Sequence, residues 1–212
     1  MKISFCITCM GRLHHLRQTL PRNLEENAAS PDVEFVVVDY NSKDGLEDWA
    51  RGALGPAIAS GRVVYYKEKT RDRFDIAHAK NLAHGLATGD ILCNLDADGF
   101  TGRGFAALLA EKFREKGPDL FSLSGDGSLS GRIAMTAPRF RSLRGYDEDF
   151  VYGWGYEDDD LVERALRSGL RPVEVVAPGQ SALEHSDAER LANTWERSNT
   201  GDRKSTRLNS SH

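Results

Sequence analysis

The sequence predicts an α/β fold, a mostly parallel central sheet sandwiched between helices. Short β-branched and aromatic runs recur through the first half, and helical patterns separate them. The runs are apolar throughout instead of alternating, as in strands covered on both faces.

Residues 3–8 (ISFCIT) read as a buried first strand. Leu13, Leu16 and Leu20 follow at helical spacing, and Pro21 is expected to end or kink that helix. Residues 34–39 (EFVVVD) form a second buried strand closed by the turn-rich YNSKDG. A short helix over 46–54 leads to a third strand at 62–66. The run 77–87 reads as a helix ended by Thr88-Gly89, and 91–95 as a fourth strand. A helix over 105–113 is stopped by Lys116-Gly117-Pro118. Strands at 120–123 and 133–136 flank a Gly/Ser loop at 124–131. Residues 159–168 predict a helix with an acidic first turn, Leu161, Val162, Ala165 and Leu166 on one face, late arginines and Gly169 beyond. A last strand is expected at 173–177.

With 212 residues, 40% hydrophobic and 28% charged, the chain suits one globular domain with a well-buried core. No apolar run approaches the ~18 residues that cross a bilayer, which leaves room only for peripheral membrane association. The start, MKISFCITCM, has no long apolar stretch and no small-residue cleavage site, so it does not read as a secretory leader. Three cysteines fit a reducing compartment, and a cytoplasmic location is expected. Cys6 and Cys9 form a C-x-x-C, but on a strand and without a second pair. Residues 202–212 (DRKSTRLNSSH) resemble the in-frame translation of a sequencing adapter and are set aside. The expected domain is 1–201, with natural sequence beyond Gly201 missing. Without the tail's three Lys/Arg and one Asp the net charge moves from −4 to −6, unlike the basic stripe of a nucleic-acid binder.

Three clusters carry chemistry. In Asn94-Leu95-Asp96-Ala97-Asp98-Gly99, a hydrophobic strand ends in two carboxylates one residue apart. Ligands of open α/β sheets sit beyond the carboxyl ends of strands, and such a pair suits a hard divalent cation that also holds phosphate oxygens. In Tyr152-Gly153-Trp154-Gly155-Tyr156-Glu157-Asp158-Asp159-Asp160, capping at Asp158 or Asp159 and the helix dipole explain part of the acidity. They do not explain a tryptophan between two glycines, which suits a sugar-stacking lid. The third cluster is Glu184-His185-Ser186-Asp187, whose imidazole is a common metal ligand. His14, His15, His78 and His84 lie on predicted helices and receive no functional reading.

Together these motifs resemble a glycosyltransferase of the GT-A fold, family-2-like in the N-terminal half. The C-terminal half is similar to the galactosyltransferase group marked by W-G-W-G-x-E-D-D, with Tyr152 here in place of the first Trp. The resemblance runs from about Lys2 to Asp187. It implies that Thr8, Arg12, Asp39 and Lys80 bind the donor nucleotide, with Tyr40 replacing an acid that many members carry. It implies that Asp98 and His185 hold a divalent metal, that Asp96 supports ribose and metal, and that Ala182 stands where the galactosyltransferases have a methionine. Asp158 falls on the catalytic-base position, while Trp154, Gly155 and Glu157 shape the acceptor and donor-sugar pocket. A histidine ligand favours Mn2+ over Mg2+.

The function so implied is metal-dependent, inverting transfer from a nucleotide-sugar, UDP-linked, to a hydroxyl of a glycan or other acceptor. One base and one metal need no carboxylate nucleophile, and a helix N-terminus is expected to favour ionised Asp158. The alternatives are an inactive GT-A domain that binds nucleotide or glycan, and a sugar-nucleotide pyrophosphorylase. The latter wants a Gly-rich basic loop after the first strand, where CMGRLHHL offers one Gly and one Arg. If Trp154 is the lid, Trp154→Ala weakens acceptor use more than nucleotide affinity. Acceptor kinetics beside UDP titration check this, and equal losses contradict the lid.

Overall fold

The computed structural model describes residues 1–30, 32–124, 131–150, 156–186, 188–189 and 192–193. Tyr152, Gly153, Trp154, Gly155, Asp187 and the 202–212 tail lie outside the described residues. A seven-stranded sheet runs in the order β3-β2-β1-β4-β7-β6-β8. Its strands are β1 (Ile3–Cys9), β2 (Val33–Tyr40), β3 (Val63–Glu68), β4 (Ile91–Asn94), β6 (Leu120–Leu123), β7 (Ala134–Thr136) and β8 (Arg171–Glu174). All neighbours pair in parallel except β7, which is antiparallel to both β4 and β6.

Helices cover both faces. On one, Leu16 and Leu20 of α1 (Leu13–Glu26), Leu46 and Ala50 of α2 (Leu46–Ala53), and Phe105 and Leu109 of α5 (Phe105–Lys116) pack on Ile3, Phe5, Ile7 and Cys9. On the other, alanines of α4 (Ile76–Leu86), Phe140 of α6 (Ala137–Ser142), and Leu161 and Ala165 of α7 (Tyr156–Arg167) pack on Cys6, Val36 and Val38. Cys6 and Cys9 thus sit in opposite cores. Burial pushes the Cys9 thiol up to about 12, and Cys6 is raised as well. The C-x-x-C spacing is a by-product of two core-facing positions on one strand.

Several expectations change. Pro21 does not end α1, which continues to Glu26. The second half is held by tertiary contacts, since Leu20 and Asn23 both face inward and their burial outweighs one lost backbone bond. Helix α3 (Gly55–Ala59), helix α6 and the two-residue strands β5 (Gly99–Phe100) and β9 (Ser181–Ala182) have no sequence reading, because so few residues show no period. The last sheet strand, β8, precedes most of its expected range of 173–177. Helix α7 includes Tyr156, so Asp158 and Asp159 lie inside its first turn and are not its cap. Leu166 is exposed because the buried stripe follows Glu157, Leu161 and Ala165 at i, i+4 spacing.

Two features position the turn after β4. Across α1, Thr19 Oγ1 donates to Ala97 O at 2.6 Å, and Asn23 Nδ2 donates to Gly99 O at 2.8 Å while Asn23 Oδ1 accepts from Thr101 N at 2.8 Å. Then β5 pairs with β9, with Gly99 opposite Ala182, which carries the chain after β9 back over the turn. Asn23→Ala strands a buried carbonyl and a buried amide, and is expected to lower stability by about 2–4 kcal/mol. Urea unfolding measures it; a loss below about 1 kcal/mol would mean that the turn holds its shape without α1.

Candidate active site

Strand β4 ends with Asn94, whose Nδ2 donates to Gly131 O at 2.8 Å and to Asp96 Oδ1 at 3.3 Å. Gly99 N donates to Asp96 O at 2.9 Å, closing a turn that carries both Asp96 and Asp98. From the other side, Leu183 N donates to Asp98 O at 2.9 Å, so the residues after β9 run against this turn. His185 Nε2 then comes to 2.6 Å from Asp98 Oδ2, with both side chains largely buried. Burial and the neighbouring Asp96 charge raise the Asp98 pKa, and His185 opposes the rise. A carboxylate and an imidazole brought together beside a second carboxylate fit a divalent ion. Ligand distances of ~2.0–2.2 Å need only a slight widening of this contact.

The first turn of α7 supplies the second half. Lys80, on α4 among Ala77, Ala79 and Ala83, is 1% exposed. Its Nζ donates to Glu157 Oε1 at 2.9 Å and to Asp158 Oδ1 at 2.7 Å, and lies 5.0 Å above the Tyr146 ring. Burial works against the ammonium, but the Asp158 and Glu157 carboxylates outweigh it and hold its pKa well above the usual value. For Asp158 the balance differs. Burial pushes its carboxyl up to about 7, Lys80 pulls it down, and Glu157 and Asp96 add to the rise. The helix dipole was expected to favour the ionised form; burial beside two other acids outweighs that.

Gly131 joins the halves. A Cβ there would stand 3.0 Å from Asp158 Oδ2 and 3.3 Å from Asp96 Oδ2, so the backbone passes between two carboxylates that a side chain would obstruct. Asp96, Asp98, Asp158, His185 and Lys80 therefore gather at the carboxyl end of β4. They sit beside the point where sheet order reverses between β1 and β4, where open α/β sheets bind ligands.

Thr8 and Arg12 line the other side of this point, both half-buried, at the end of β1 and just before α1. The α1 amide of Leu13 is capped from a distance by Asp44 Oδ2 at 2.8 Å, and Gly11 N donates to Ser42 Oγ at 3.1 Å. Asp39 is fully buried, accepting from Ser42 N at 2.8 Å and from Tyr65 OH at 2.7 Å. Each Asp39 oxygen keeps acceptor capacity, but its full burial means that a nucleotide could reach it only if neighbouring side chains moved. Tyr40 faces the opposite core, its hydroxyl 2.7 Å from His78 Nδ1 and its ring edge-on to Phe74. An acid at that position would be buried in a core, whereas the tyrosine is at home there.

Glu157 is buried against Lys80, and Trp154 and Gly155 fall outside the described residues. Sequence reasoning missed three contributors: Gly131, taken as part of a loose loop; Arg132, buried beside Gly99 with its guanidinium 5.8 Å from the Phe105 ring; and Tyr146, under Lys80. Lys80, expected at the donor nucleotide, is instead buried with its ammonium paired to Glu157 and Asp158.

The model described as Glycosyl transferase family 2 matches residues 4–165. No curated protein matches the chain. Among solved structures, the mannosyltransferase PcManGT from Pyrobaculum calidifontis, in complex with GDP-Man and Mn2+, is similar over 84% of this chain and 55% of its own, at 18% identity and TM-score 0.69. TarS 1-349 from S. aureus, in complex with UDP-GlcNAc, is similar over 84% and 57%, at 14% identity and TM-score 0.68. Glucosyl-3-phosphoglycerate synthase from Mycobacterium tuberculosis, with Mn2+, UDP and glucosyl-3-phosphoglycerate, is similar over 89% and 74%, at 21% identity and TM-score 0.61. The chain spans little more than half the length of the first two. These likenesses establish the GT-A fold.

The raised Asp158 pKa has a stability signature. Between the ordinary aspartate value of 3.8 and about 7, the folded chain keeps a proton that the unfolded chain releases. Stability contributed by Asp158 is thus present below that window and is lost as pH rises through it. In metal-free urea unfolding across this range, the wild type is expected to lose stability with rising pH relative to Asp158→Asn. Parallel curves for the two proteins would contradict the shift.

Proposed function

The chain belongs to glycosyl transferase family 2, and we propose that it transfers a sugar from a nucleoside-diphosphate donor, UDP-linked, to an acceptor hydroxyl with inversion at the anomeric carbon. The reading rests on one observation: Asp98 and His185 meet at 2.6 Å within the same carboxylate cluster that holds Asp158.

Asp158 is the proposed base. It accepts the acceptor hydroxyl's proton on a carboxylate oxygen as that hydroxyl attacks the anomeric carbon opposite the departing diphosphate. A pKa near 7 serves this role, because a carboxylate so raised is a stronger base yet still ionised in a substantial fraction at neutral pH. Such a base typically contributes ~10² to 10⁴ in rate. Lys80 keeps that fraction from vanishing and fixes one Asp158 oxygen, leaving Oδ2 directed towards Gly131 and the cluster. Thr8, Arg12, Asp39 and Asp96 are assigned to the nucleotide, and Trp154, Gly155 and Glu157 to the sugar and acceptor pocket. A divalent ion held by Asp98 and His185, with Asp96 adjacent, supplies the charge that stabilises the leaving diphosphate. The imidazole favours Mn2+ over Mg2+, and the similarity to structures solved in complex with Mn2+ supports that choice. Residues 1–201 form the proposed domain.

Incubating the chain with a panel of nucleotide-sugars and Mn2+ is expected to release nucleotide from one donor, with the anomer inverted by NMR. Asp98→Asn is expected to abolish the metal response. Asp158→Asn is expected to slow transfer ~10²- to 10⁴-fold while UDP still binds in the presence of metal. A retained anomer, or loss of UDP affinity in Asp158→Asn, would overturn the assigned mechanism.

A further inference from the structure

A second group of metal-ligating side chains lies beside the site and takes no part in the chemistry above. His14 and His15 open helix α1, and Glu189 approaches them from the segment after His185. One ligand atom from each of the three lies within 4.8 Å of the others. His14 Nε2 and Glu189 Oε1 are 3.4 Å apart. That is close to the ~3.3 Å edge between two ligands of a tetrahedral ion bound at ~2.0–2.1 Å. The imidazoles of His14 and His15 are tilted at 50° to one another with centroids 4.1 Å apart, and one nitrogen of each lies within 4.8 Å of a Glu189 oxygen.

The group shows two marks of a built site. Glu189 is oriented by Ser186, whose amide and hydroxyl donate to Glu189 Oε2 at 2.9 and 3.2 Å, leaving Oε1 for His14. His15 is 4% exposed, and its Nδ1 has no hydrogen-bond partner among the described residues. An orphaned, buried imidazole nitrogen is costly unless something binds it.

We propose that His14, His15 and Glu189 bind a transition-metal dication of the zinc class, at a site separate from Asp98 and His185. Two imidazoles and one carboxylate are a borderline donor set that suits such an ion better than Mg2+ or Ca2+, with water completing the sphere. The bound ion staples the C-terminal segment to the start of α1. Asn193 already touches the residues between β1 and α1. Asn193 Nδ2 donates to Met10 O at 2.8 Å, and Asn193 O accepts from Phe74 N at 2.7 Å. The ion's binding does not depend on the sugar-transfer reading.

His15 and His185 have ring centroids 5.6 Å apart, so the test must separate the two sites. Zinc chloride is titrated by calorimetry into the full chain carrying Asp98→Asn and His185→Ala. One zinc per chain is expected, with affinity falling tenfold or more when His14→Ala or Glu189→Gln is added. Both added positions are solvent-facing, so folding is not at stake. Absence of zinc binding in the doubly substituted chain overturns the proposal, as does affinity unchanged by both additions. Hydrogen exchange of residues 184–193 is expected to slow on zinc addition in that chain; unchanged exchange overturns the staple.

Discussion

Burying one ammonium among carboxylates is the constraint on which this site depends. Asp96, Asp98 and Asp158 converge at the carboxyl end of β4, and Glu157 lies buried beside them. Crowded acids in a low-dielectric setting are costly unless cations answer them. Lys80 answers Glu157 and Asp158 directly, from a helix whose alanines let it lie flat against the sheet. Removing one partner of a buried pair costs about 3–5 kcal/mol, since the other charge is left unmet. Lys80 thus joins fold and chemistry, fastening α4 to α7 and setting the proton affinity of the carboxylate at their junction.

His185 answers Asp98 in the same way, but by a different structural route. Lys80 is placed by a helix packed on the sheet, whereas His185 depends on two residues of strand pairing and one backbone bond from Leu183 to Asp98. The sheet core is deep on both faces, and the turn it supports is gripped from α1 by Thr19 and Asn23. Rigidity is therefore concentrated at the acidic turn, and the histidine is added to it.

Much of the frame was legible because it rests on long apolar runs. The strands at 3–8, 34–39 and 91–95 were readable to within a few residues, as were α4 and α5. What escaped were elements too short to have a period, such as β5 and β9, and those are what bring Asp98 and His185 together. The acidic residues themselves were legible from their spacing after a hydrophobic strand. Their protonation was not, because it comes from burial by segments distant in sequence. Reading Asp158 as a helix-end residue predicted an easily ionised acid, whereas burial beside Glu157 and Asp96, opposed by Lys80, raises its pKa to about 7. Gly131 was invisible for a similar reason: a glycine in a glycine-serine stretch carries no mark that two carboxylates press against it.

The clasp between β5 and β9 also bears on how the molecule is born. Every strand of the large sheet has emerged from the ribosome before Ser181, so a nascent chain can assemble its whole hydrophobic frame while His185 is still inside the exit tunnel. The imidazole reaches Asp98 once Ser181 and Ala182 pair with Phe100 and Gly99. The Asp98–His185 contact is thereby completed only after the sheet that carries it has formed.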